Sequence, residues 1–157
     1  MAESKTNAMR MLDAHKIPYR VHTYTPGPNI DGVSVAHQLG ENVEQVYKTL
    51  VTRGKQTYFV FVIPVAHELD LKKAARSVGE KAVSMIAVKE INAVTGYIRG
   101  GCSPIGMKKL YTTVIDTHAQ SLPTMIVSGG RIGCQIEIQP DLLCKQINAH
   151  YADLLME

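Results

Sequence analysis

Residues 57–65, TYFVFVIPV, are apolar on both alternating faces. Successive side chains of a strand point to opposite sides, so such a run must be covered on both and belongs at the centre of a sheet. Gly54 separates it from QVYKTLVTR (45–53), and the two runs read as a hairpin. A central strand needs neighbours, and the remaining chain offers them. YTTVID (111–116), TMIVSG (124–129) and CQIEIQP (134–140) read as three strands, and AVSMIA (82–87) as a short one. In IPYRVHTY (17–24) the alternation sets Tyr19, Val21 and Thr23 on one face and Arg20, His22 and Tyr24 on the other.

Helical spacing fills the gaps between these runs. Ser4 and Thr6 are cap candidates for a helix over 4–15 in which Ala8, Met11, Leu12 and His15 recur on one side. SVAHQLG (34–40) is a short helix with a glycine stop at Gly40. DLKKAARSVG (70–79) puts Leu71, Ala74, Ala75 and Val78 on one face and Lys72, Lys73 and Arg76 on the other. KEINAVTG (89–96) is a further helix, and PDLLCKQINAH (140–150) closes the chain with Pro140 in its first turn. TPGPNIDG (25–32) is a loop by its proline and glycine density. Strands outnumber helices and no βαβ rhythm runs through them. The expected class is α+β: a mixed, partly open β-barrel with surrounding helices, in a single domain over 1–157.

Composition removes several function classes. A net charge of +3 is too small for a histone-like binder, and the lysines of LDLKKAARSVGEK and GMKK read either as a local basic face or as solvated helix faces. The three cysteines, Cys102, Cys134 and Cys144, form no CxxC pair, which argues against a disulfide framework. The six histidines (15, 22, 37, 67, 118 and 150) show no ligand spacing, so no metal site is expected and each reads as a surface or satisfied residue. No run reaches membrane-spanning length and MAESKTNAMRML has no apolar leader core, which makes the cytoplasm the default location.

The chemistry-bearing candidates are few. Lys48 lies in mid-strand between Val46 and Leu50, with Tyr47 and Val51 on the other face. Such a lysine either snorkels outwards or holds its charge in a pocket. Two glycine-rich loops, GGCSPIG (100–106) and SGGRIG (128–133), match neither a Walker loop nor a dinucleotide fingerprint. Glycines let another molecule come close and expose main-chain N–H groups to an oxyanion, yet both loops also read as plain hairpin turns. Cys102 is either a nucleophile awaiting a base from elsewhere in the fold or a small apolar wall residue.

Taken together, HTY (22–24), VYKTL (46–50), LDLKKAA (69–75), TGYIRGGCSPIGMKK (95–109) and IVSGG (126–130) resemble the YbaK/EbsC family of editing deacylases. These are free-standing relatives of the editing domain inserted in bacterial prolyl-tRNA synthetase. The resemblance runs over nearly the whole chain. It implies the partly open mixed barrel and the removal of cysteine mischarged on proline tRNA, Cys-tRNA(Pro), with Cys-tRNA(Cys) as a further substrate. A synthetase pocket discriminates poorly between near-isosteres, so a second, hydrolytic site is needed.

The family's essential lysine falls on Lys48, with Thr49 beside it, and its strand tyrosine on Tyr24. Gly100 and Gly101 open the loop and imply amide donors to an oxyanion; Ser103 and Pro104 continue the family's pattern, and Ser128, Gly129 and Gly130 match its second loop. Lys48 is assigned to the phosphate or terminal ribose of the tRNA end. The implied attack comes from the substrate's own thiol, without metal or cofactor, and the implied partners are aminoacyl-tRNA and prolyl-tRNA synthetase, with no membrane and no DNA. Three departures stand out: Cys102 replaces a hydrophobic residue, Gln135 an aspartate of some members, and the loop around PGPNIDG is shorter. Rival readings are a sister enzyme for alanine or another small residue, a non-catalytic tRNA- or synthetase-binding module, and a cysteine hydrolase using Cys102.

Overall fold

The computed structural model describes residues 5–25 and 32–157. Its strands are β1 (Arg20–Thr23), β2 (Tyr47–Arg53), β3 (Tyr58–Pro64), β4 (Ser84–Met85), β5 (Thr112–Asp116), β6 (Met125–Ser128), β7 (Cys134–Ile138) and β8 (His150–Ala152). Its α-helices are α1 (Asn7–Ala14), α2 (Gly32–Leu39), α3 (Leu71–Ser77), α4 (Ile91–Thr95) and α5 (Pro140–Gln146). The strands make a five-stranded sheet in the order β4-β2-β3-β5-β8 and a three-stranded sheet in the order β1-β7-β6.

The doubly apolar run is central, as its pattern demands. β3 pairs antiparallel with β2, setting Lys48 opposite Ile63 and Thr49 opposite Val62, and parallel with β5 on its other side. One face of β3 carries Val62 into a core with Leu12, Ile105, Ile115 and Ile136. The opposite face carries Phe59, Phe61 and Ile63 into a core with Ala74 and Ala75 of α3 and with Leu154. A smaller cluster of Ala36, Val46, Val65 and Ile126 sits where the sheets meet.

Local chemistry sets the helix limits. The Thr6 hydroxyl accepts from the Met9 amide at 3.2 Å, and Asp70 accepts from the amides of Lys72 and Lys73 at 2.9 and 3.1 Å, so both helices start at capping side chains. Gly40 ends α2 with φ +69, in the left-handed region where glycine carries no penalty.

Three expectations need correction. The closing helix stops at Gln146 rather than running to His150: Asn148 turns the chain at φ 53, and His150–Ala152 becomes β8, parallel to β5. Leu71, expected on the buried face of α3, is 41% exposed, because α3 begins at its capping aspartate with its first turn outside the core. AVSMIA contributes only the two residues of β4. The expected loop over TPGPNIDG and the cap candidate Ser4 lie largely or wholly outside the described residues. The class is mixed α+β, and the two sheets are not closed into a barrel: beyond side-chain packing they are joined by the parallel bridge between Val46 and Ile126.

Phe61 is fully buried and belongs to the β3 face that packs on α3. Phe61→Ala is expected to destabilise the fold by about 3–5 kcal/mol through lost burial and a residual cavity. Urea unfolding followed by circular dichroism measures it.

Candidate active site

A cavity opens at the junction of the sheets. Tyr24 lines it from the end of β1, Lys48 and Thr49 from β2, Gly100 and Cys102 from the first glycine loop, and Ser128 and Gln135 from β6 and β7. Val35, Val46 and Val65 give the wall its apolar part. Segments far apart in sequence thus bring five of the expected residues together: Tyr24, Lys48, Thr49, Gly100 and Ser128. Backbone register explains part of the meeting. The Tyr24 amide donates to the Gly133 carbonyl at 3.0 Å, one step beyond the β1–β7 ladder, and Ser128 stands directly opposite Gln135.

Lys48 is half-buried, and its ammonium has no hydrogen bond or ion pair among the described residues. No carboxylate lines the cavity among those residues, so Lys48 gives the site a net positive wall. A desolvated ammonium without a counter-charge favours an anionic ligand. The Thr49 hydroxyl and the Tyr47 phenol oxygen are buried without a hydrogen-bond partner among the described residues. Burial is also the main reason the Tyr47 phenol is pushed above its ordinary value, so it stays protonated.

Cys102 is not an activated thiol. Burial pushes it up to about 11, and the Thr95 hydroxyl offsets only part of that shift. A nucleophilic cysteine needs the opposite displacement. Cys102 serves as cavity wall, in agreement with the packing reading of the sequence.

The polar face of the three-stranded sheet carries a network of which sequence reasoning singled out His22 and Gln135 but not Glu41, Thr124 or Glu137. His22 Nε2 lies 2.7 Å from Glu137 Oε1, whose other oxygen accepts from Thr124 at 2.6 Å. The Gln135 amide faces the Glu41 carboxylate, and hydrogen-bond complementarity assigns its nitrogen to that side, where it donates to the Glu41 oxygens at 3.1 and 2.8 Å. Burial raises Glu41 above the usual carboxyl range, while His22 and the Gln135 hydrogen bond pull it back in part. The alternation of β1 had already put His22 and Tyr24 on one face. Glu41 follows the glycine stop of α2, and nothing local in the sequence ties it to Gln135.

The glycine loops are packed against each other. A Cβ on Gly101 would lie 2.8 Å from Arg131 Cα and 3.0 Å from the Ile132 nitrogen, both backbone atoms. Gly101 is therefore glycine because the second loop occupies the space beside it, not because a ligand needs that space. Its amide is also committed, donating to the Ile98 carbonyl at 3.0 Å, which removes it from the expected oxyanion donors. The amides of Gly100 and Cys102, both cavity residues, make no hydrogen bond among the described residues.

The remaining loop residues support the cavity from behind. Ser103 is fully buried and its hydroxyl accepts from the Ile105 amide at 3.2 Å; Pro104 is buried beside it. Gly129 donates to the Cys134 carbonyl at 2.9 Å, and a Cβ there would meet the Cys134 sulfur at 2.6 Å. Gly130, at φ +107, abuts Thr6 and Tyr97, and its amide donates to the Ser128 hydroxyl at 3.2 Å. These four residues shape the loops without lining the cavity. Gly101→Ala is expected to cost about 1–3 kcal/mol, because a backbone cannot yield as a flexible side chain does. Thermal denaturation measures it, and because Gly101 lies outside the left-handed region the loss reports the steric conflict alone.

Comparisons with known proteins bear on this geometry. The sequence profile of the aminoacyl-tRNA editing domain matches residues 28–145. A protein of Enterococcus faecalis bearing the name Cys-tRNA(Pro)/Cys-tRNA(Cys) deacylase EbsC is 45% identical over 154 residues, 97% of this chain and 94% of that protein. The proline–tRNA ligase of Thermosipho melanesiensis is 26% identical over 110 residues, which is 69% of this chain and 19% of the ligase. A solved structure described as a trans-editing enzyme for prolyl tRNA synthetase superposes with a TM-score of 0.83 at 25% identity, over 99% of this chain and 100% of that one. With the profile spanning most of the chain, and both glycine loops and Lys48 inside the match, this protein belongs to the aminoacyl-tRNA editing domain family.

Proposed function

We propose that this chain acts as one editing domain, its two sheets curled as a partly open barrel, that deacylates cysteine-charged proline tRNA in the cytoplasm. The observation that carries the reading is the cavity that gathers Lys48, Tyr24, Thr49, Gly100 and Ser128 from separate segments, with a lysine free of any protein counter-charge among the described residues. The similarity to the Enterococcus faecalis protein supports the substrate, and the likeness to part of a proline–tRNA ligase supports prolyl-tRNA synthetase as a partner.

In this reading Lys48 holds a phosphate or the terminal ribose of the tRNA's 3′ end, which lies along the first glycine loop. The substrate's own thiol attacks the ester carbonyl. A carbon–sulfur bond forms, the bond to the ribose oxygen breaks, and that oxygen takes up the proton that the thiol loses. The amino acid leaves as a four-membered thiolactone that water opens afterwards. The unpaired amides of Gly100 and Cys102 are the donors available to the developing oxyanion. Tyr24, Thr49 and Ser128 bind the substrate end around them, while Gly101, Ser103, Pro104, Gly129 and Gly130 hold the loops in shape.

The test is single-turnover deacylation of cysteine-charged proline tRNA, with and without prolyl-tRNA synthetase. Lys48→Ala is expected to lose at least about a hundredfold in rate with an unchanged circular dichroism spectrum, the scale of a lost catalytic group. Cys102→Ala should stay within about tenfold of the parent, since a protonated wall thiol contributes packing alone. A fully active Lys48→Ala protein would remove the lysine from the site and the reading with it.

A further inference from the structure

We infer that Glu41 is a positioning residue that holds the Gln135 amide so that its carbonyl oxygen accepts from the α-ammonium of the aminoacyl group. This rests on the proposed reaction for the identity of the ligand and on the structure for everything else. An aminoacyl end is bipolar: a protonated amine lies a few bonds from a ribose and its phosphate. The cavity lining carries a candidate partner for each. Lys48 comes from β2 of the five-stranded sheet, and Gln135 from β7 of the three-stranded sheet. Like charges repel, so the ammonium belongs on the side away from Lys48.

No carboxylate lines the cavity among the described residues, which leaves neutral oxygens to receive the ammonium. Gln135 is 7% exposed and lines the cavity beside Ser128, its register partner. A glutamine offers either end of its amide, and an N–H end facing an ammonium would repel it. Glu41 decides which end is presented. With its nitrogen donating to both Glu41 oxygens, at 3.1 and 2.8 Å, the side chain has only its oxygen left for a ligand. The carboxylate also polarises the amide and strengthens that acceptor. The neighbouring carboxylate, Glu137, is engaged by His22 and Thr124 and does not compete for the amide.

Binding rather than turnover gives the cleanest test. Proline tRNA carrying cysteine through a non-hydrolysable 3′-amide link is compared with its N-acetylated form, which has no ammonium. The parent protein should prefer the free amine by about tenfold or more, the scale of a hydrogen bond to a charged group. Glu41→Ala should shrink that preference to within about threefold by weakening only the free-amine ligand. Glu41→Gln keeps an acceptor oxygen and should retain most of the preference. If Glu41→Ala does not fold, Gln135→Met removes the acceptor itself and must abolish the preference.

Equal affinities in the parent protein, absent binding of both ligands, or an equal loss for both in Glu41→Ala would overturn the inference. Equal loss would mark Glu41 as a purely structural residue. An intact preference without cleavage of the ester-linked substrate would sink the proposed reaction and leave Glu41's role standing.

Discussion

Strand β2 belongs to the five-stranded sheet by its ladder, and the residue just before it, Val46, bridges to Ile126 within the three-stranded sheet's β6. The site depends on that contact. Val46 and Val65 line the cavity at this junction, and they belong to the apolar cluster that also holds Ala36 and Ile126. Lys48 lies two residues beyond the bridge, so the same backbone hydrogen bonds that join the sheets also place the charge. The clasp between Gly101 and the Arg131–Ile132 backbone then fixes the two loops relative to each other.

The cavity's polarity follows from what surrounds it. Among the described residues carboxylates are kept off its wall: Glu137 is tied to His22 and Thr124, and Glu41 stands behind Gln135. Lys48 therefore has no counter-charge among the described residues. Burial holds the Cys102 thiol protonated and leaves the hydroxyls of Thr49 and Tyr47 unpartnered among the described residues. Such a wall binds and orients well but supplies no strong nucleophile of its own. That chemistry suits a reaction in which the substrate brings the attacking atom.

Much of the fold was legible because its signals are local. The doubly apolar β3, the glycine stop at Gly40, the capping Thr6 and the alternation of β1 each follow from neighbours in sequence. The misses are non-local. His150–Ala152 reads as the tail of a helix, yet the left-handed turn at Asn148 and an open edge on β5 make it a strand. For the site, the family resemblance implied Gly101 as an oxyanion donor, yet its amide is committed to the Ile98 carbonyl: a glycine kept for a ligand and one kept for a neighbouring loop look identical in a sequence. Glu41 was invisible because its partner lies 94 residues further along the chain and only the tertiary fold brings the two together.

In the proposed reaction the protein supplies geometry and an oxyanion site while the substrate's sulfur supplies the attack. A thiol has an ordinary pKa of about 8.5 and is a few per cent ionised near neutrality, whereas an alcohol is not. Size alone cannot separate the candidates, because a cavity that admits cysteine also admits serine and alanine. The decisive measurement is single-turnover deacylation of proline tRNA carrying cysteine, serine or alanine at one pH. The account predicts rapid loss of cysteine, slow loss of serine and almost none of alanine, with cysteine ahead by orders of magnitude. Comparable rates for alanine and cysteine would contradict it and point to attack by water in a small-residue pocket.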